Sequence, residues 1–88
     1  MKLFVINPNP DGTRRWKGRR DNYTVFISEV MNLEAGHVDK YSYSLVKHLV
    51  ELDYNSIDEG RTFNTIESCK NAALSHVDAH KAKLRARR

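Results

Sequence analysis

The chain has 88 residues, of which 40% are hydrophobic and 30% charged, with a formal net charge of +4. That length holds one domain (1–88) around one small core, and the composition is that of a folded chain rather than a disordered one. No apolar run approaches the ~20 residues of a membrane-spanning helix, and the single cysteine, Cys69, excludes an internal disulfide.

Charge is distributed unevenly along the chain. Five of the seven residues at 14–20 and five of the eight at 81–88 are cationic, whereas residues 21–80 carry ten acids against four cations. An acidic body with two basic ends is the pattern of a protein that meets nucleic acid or another charged surface.

In chain order, Lys2 to Asn7 reads as a short strand carried by Leu3, Phe4, Val5 and Ile6. Met1 to Asn7 is too short for a secretory signal and no small-residue cleavage site follows it, which points to a cytoplasmic protein. Two prolines with Asn, Asp and Gly in Asn7–Gly12 stop the strand. A basic loop over 13–21 follows, centred on Trp16. Tyr23 to Met31 is the clearest strand: Tyr23, Val25 and Ile27 point one way and Phe26 and Val30 the other, as expected of a central strand or one covered by a helix.

Asn32–His37 reads as a loop. Val38–Asp53 has two readings, since Tyr41–Leu45 alternates as a strand does while Leu45, Val46, Leu49 and Val50 have helical spacing. A strand through Tyr41–Val50 is favoured because a turn-like stretch, Asp53–Ser56, comes next. A short extended piece is expected over Ile57–Phe63. The last element is a helix over about Thr65–Arg85, capped by Asn64 or Thr65, with Ile66, Cys69, Ala73, Val77, His80 and Leu84 on one stripe. Its C-terminal cations suit the helix dipole, and residues 81–88 read as a basic tail. The expected fold is therefore α+β: an antiparallel sheet of three or four strands with one long C-terminal helix packed on a face.

The chemistry-bearing candidates are few. His76 and His80 are one helical turn apart, the spacing of a shared metal, but Cys69 lies about 10 Å from His76 along the axis at ~1.5 Å per residue, too far to join them. No metal or cofactor site is therefore assigned. Cys69 faces the expected core, where thiols are inert, and neither a nucleophile elbow nor a phosphate-cradling glycine loop is present. The chain reads as a non-enzyme. Arg14, Arg15, Lys17, Arg19 and Arg20 flank Trp16, and cations beside an indole suit phosphate and base contact. Lys81, Lys83, Arg85, Arg87 and Arg88 offer further phosphate contacts. Glu51, Asp53, Asp58 and Glu59 form an acidic patch near the expected turn.

Two resemblances follow from particular residues. His37 to Val77 resembles the later part of a double-stranded-RNA-binding domain, with Gly36-His37 before a strand and Glu59-Gly60-Arg61 before a helix carrying Cys69-Lys70-Asn71-Ala72-Ala73. The family's phosphate-binding lysine pair falls on Ile66 and Glu67 here, and of its helix lysines Lys70 alone is kept. Gly60-Arg61-Thr62-Phe63-Asn64-Thr65 followed by an alanine-containing helix resembles small phage and prophage accessory proteins, many of which bind and block a host complex, CRISPR effectors included. That resemblance implies a binding protein that inhibits or modulates a host nucleic-acid-processing complex. Its basic loop and tail would occupy a nucleic-acid site, or its acidic patch would meet a cationic groove. The alternative is direct nucleic-acid binding through the two basic clusters.

Overall fold

A computed structural model describes residues 1–47 and 52–86, and the side chain of Leu52 is left aside. Five strands, β1 (Phe4–Ile6), β2 (Arg15–Arg20), β3 (Tyr23–Asn32), β4 (His37–Lys47) and β5 (Leu52–Asn55), form one antiparallel meander in the order β1-β2-β3-β4-β5. A 3-10 turn, Ser56–Glu59, leads to the single helix α1 (Ile66–Ala86). The α+β architecture is the one the sequence predicts.

The sheet has five strands rather than three or four, because two segments that lack strand composition are strands. Residues 15–20, within the stretch 13–21 expected as a loop, form β2, which pairs with β3 along its length and with β1 over 15–17. An antiparallel strand with one solvated face needs apolar residues on the other face only, and here Trp16 and Gly18 supply them. Asp53–Asn55, expected in a turn, belongs to β5, and the expected extended piece over 57–63 is the 3-10 turn followed by a lone bridge between Phe63 and Tyr41. The strand expected through Val50 is observed to Lys47, and residues 48–51 lie outside the described residues.

Side-chain alternation decides the two faces. Tyr23, Val25 and Ile27 of β3 and Tyr43 and Leu45 of β4 are buried beneath α1, which contributes Cys69, Ala73 and Val77 at helical spacing. Ala73 and the small Cys69 let the helix lie close to the sheet. Gly18 has a packing reason: a Cβ there would stand 2.8 Å from Cγ and Sδ of Met1, which lies over it. The β2–β3 hairpin closes with Asp21 in the left-handed region at φ 55°, a conformation Asp tolerates better than most residues.

Thr65 starts the helix. Its Oγ1 accepts the backbone N–H of Ser68 at 3.0 Å, and Ser68 Oγ accepts the Thr65 backbone N–H at 3.4 Å in return, so Thr65 is the cap. Among the described residues no helix is long and apolar enough to cross a membrane.

Candidate nucleic-acid interface

With α1 on one face, the other face of the sheet is left uncovered, and the registers say which side chains occupy it. Phe4, Lys17, Phe26, Ser44 and Asn55 are successive partners across the five strands, so they share that face. One row to one side run Ile6, Arg15, Ser28 and Ser42; one row to the other run Arg19, Thr24, Val46 and Asp53. Down β2, Arg15, Lys17 and Arg19 therefore stand in line at i, i+2, i+4, about 7 Å apart at the rise of a strand.

Two phenylalanines accompany this line. The Arg15 guanidinium lies 5.7 Å from the Phe26 ring centre and the Lys2 ammonium 5.3 Å from that of Phe4. Phe4 is 58% exposed, a large apolar surface to leave in water. Lys2, Phe4, Lys17, Gly18 and Arg19 line an open groove of about 430 Å³. Lys17 and Arg19 are exposed and, among the described residues, belong to no ion pair. Arg15 likewise has none.

The remaining members of the basic segment are placed elsewhere. Arg14 makes two hydrogen bonds from its guanidinium to Glu29 Oε2, at 3.0 and 3.2 Å, while its backbone N–H donates to Oε1. These bonds hold the Glu29 carboxyl below its ordinary pKa. Trp16 points to the helix side, partly buried against the core, 6.3 Å from Tyr41 between ring centres. Of the cations expected around the indole, Arg14 lies over it, with its guanidinium 5.4 Å from the ring centre, whereas alternation along β2 puts Arg15, Lys17 and Arg19 on the opposite face. Arg20 also faces the helix and pairs with Asp78 at 3.4 Å.

Of the C-terminal cluster, Lys81, Lys83 and Arg85 stand on α1 and not on the uncovered face. Lys81 is bound to Asp21 at 2.5 Å, tying the β2–β3 turn to α1. Lys83 and Arg85 are exposed on the helix, Lys83 beside His76, Ala79 and His80. Asp21 is also influenced by the charges of Arg20 and Arg85, so the C-terminal cations approach the basic segment at the β2–β3 turn, on the helix side of the sheet. Arg87 and Arg88 lie outside the described residues.

Of the acidic patch, Asp53 stands on the far edge of the uncovered face, and Asp58 and Glu59 are exposed on the 3-10 turn. Glu59 accepts the Tyr54 hydroxyl at 2.9 Å. Glu51 lies outside the described residues. Cys69 is fully buried, and burial pushes its thiol up to about 12. His76 and His80 turn their Nδ1 atoms to the hydroxyls of Tyr43, at 2.9 Å, and Tyr23, at 2.6 Å.

Phe4, Phe26 and Lys2 are the residues of this face that sequence reasoning did not join to the basic cluster. The available signal was the alternation Arg15-x-Lys17-x-Arg19, which is strand-like once residues 14–20 are not taken as a loop. Comparisons of the chain with protein-family models, with characterised proteins and with solved structures gave no match.

Proposed function

We propose that the chain is a non-catalytic binding module whose uncovered sheet face takes single-stranded nucleic acid. The observation that carries this reading is the line Arg15, Lys17 and Arg19 beside Phe26 and Phe4 on the one face that α1 leaves open. Cations in line along a strand suit the backbone of an extended polynucleotide, and an exposed ring beside them offers a stacking surface for an unstacked base. A duplex hides its base faces, so the phenylalanines favour a single strand over the double strand suggested by the RNA-binding-domain resemblance.

Charge also gives the face a direction. Cations lie along β2 and the serines of β3 and β4 follow, with Asp53 at the β5 edge. A bound backbone is expected to run along β2 with its bases turned toward Phe26, Ser28 and Ser44.

The test is fluorescence anisotropy of labelled single- and double-stranded DNA and RNA across a salt series, with wild type and a Lys17→Ala/Arg19→Ala double variant. Salt-sensitive binding of single strands that the double variant loses supports the reading. No binding at low salt overturns it. The search would then move to a protein partner, with the phage-type modulator of a host nucleic-acid-processing complex as the replacement reading and the carboxylates Asp53, Asp58 and Glu59 as its contact.

A further inference from the structure

A second polar cluster lies on the opposite side of the sheet, against α1, and it shares no residue with the uncovered face. Arg61 follows the 3-10 turn. Its guanidinium stands 6.0 Å from the Tyr43 ring centre and 5.8 Å from that of Phe63. One terminal nitrogen donates to two phenol oxygens, Tyr43 at 3.3 Å and Tyr54 at 3.4 Å. The guanidinium is thus held in place by rings and hydroxyls, and among the described residues it makes no ion pair with a carboxylate. Among the described residues most of its N–H donors are left without a partner.

The hydrogen bonds extend to the neighbouring histidine. Tyr54 gives its proton to Glu59 Oε2. Tyr43 accepts from Arg61, and its hydroxyl lies 2.9 Å from His76 Nδ1. The His76 pKa is lowered, first by burial and then by the Arg61 charge, which favours the neutral ring. The His76 ring is held further by Tyr54, edge to face at 4.2 Å.

Around these two residues the surface is concave. Arg61, Ala72, Ser75, His76 and Ala79 line a groove of about 340 Å³, and a smaller one of about 150 Å³ adjoins it with His76, Ala79, His80 and Lys83. The alanines at 72 and 79 open the groove between longer neighbours. Its polar lining is the guanidinium fork, the imidazole ring, the Ser75 hydroxyl and, at the far end, the Lys83 ammonium. The charged and titratable groups acting on His76 are Arg61, His80 and Lys83 against Glu59, whose Oε2 is engaged by Tyr54.

We propose that this groove is an anion site for a phosphate monoester, with Arg61 as a pre-oriented fork and His76 and Ser75 as further donors. Arg61 supplies the paired, planar donors that fit two phosphoryl oxygens, and its contacts with Tyr43, Tyr54 and Phe63 lessen the ordering that binding requires. The site stands independently of the sheet-face reading.

The experiment is a titration of the 15N-labelled protein with inorganic phosphate at constant ionic strength, following the His76 ring signals by NMR. The expected result is a saturable shift of the His76 Nε2 and Hε1 signals and a rise in the His76 pKa, because a bound anion favours the charged ring. Arg61→Gln should abolish the saturable shift, and Arg61→Lys should weaken binding by roughly tenfold, since an ammonium keeps the charge but lacks the fork. The Lys17→Ala/Arg19→Ala variant should leave it unchanged. Parallel titrations with a nucleoside 5′-monophosphate and with phosphoserine identify the natural source by the tighter arm. A His76 response that does not saturate, or that persists in folded Arg61→Gln and Arg61→Lys proteins alike, overturns the proposal.

Discussion

Neutralising Lys17 and Arg19 together tests the sheet-face reading through the salt dependence of binding. The uncovered face offers Lys2, Arg15, Lys17 and Arg19 as phosphate contacts. For single strands each contact contributes roughly −0.7 to the slope of log affinity against log salt, so four contacts give a slope of about −2.8. Raising salt from about 50 to about 200 mM then weakens wild-type binding by roughly 50-fold. Removing two contacts halves the slope to about −1.4, and the same change of salt weakens binding by only about sevenfold. Both side chains are exposed and unpaired in the described structure, so the variant should keep wild-type stability.

Anisotropy of a labelled oligonucleotide at five or six salt concentrations measures both slopes. Lys83→Ala serves as the control, because Lys83 stands on α1 beside His76 and Ala79, away from the β2 line, and should leave the slope at its wild-type value. A slope unchanged in the β2 variant, or lowered equally by the helix control, would refute the reasoning.

The remaining predictions concern the fold. Leu45→Ala removes most of a fully buried side chain beneath α1 and should destabilise the domain by about 2–5 kcal/mol in denaturant titration; a loss below about 1 kcal/mol would mean that α1 does not cover β4. Cys69 should resist thiol reagents at pH 8 in the native protein and react once denaturant is added, because burial keeps it protonated; fast native labelling would contradict the packing of α1. Glu29 has a folded pKa below its unfolded one, so its contribution is present above the unfolded carboxylate range and is lost as pH falls through the folded value. Glu29→Gln should therefore flatten the acid side of the stability–pH curve below about pH 5, and an unaltered curve would show that the Arg14 bonds are not kept in solution. Thr65→Ala should cost about 1 kcal/mol through loss of the cap to Ser68, measured by thermal or chemical unfolding.

The linear sequence by itself determined the elements whose residues face the core. Tyr23, Val25 and Ile27 alternate, and Cys69, Ala73 and Val77 recur at helical spacing, so β3 and α1 are legible from periodicity. Burial imposes that periodicity, because each apolar residue must reach the same side. The β2 and β5 strands were not legible. Arg15–Arg20 carries its polar residues on the solvent face and has only Trp16 and Gly18 to mark the other, and Leu52–Asn55 is short and polar. Such segments become strands because neighbours offer their edges, an interaction no local pattern records.

The same limit governs the candidate sites. Composition locates a basic cluster at 14–20, but pairing of β2 between β1 and β3 divides it, sending Arg15, Lys17 and Arg19 outward and Trp16 and Arg20 toward the helix. Arg61, Tyr43, Tyr54 and His76 come from four separate parts of the chain, and only the packing of α1 against β4 and β5 brings their polar atoms within hydrogen-bonding reach. Charge and periodicity are properties of the chain, whereas a face and a groove exist only after distant segments have been brought together, with hydrogen bonds between strands and burial beneath the helix choosing the partners.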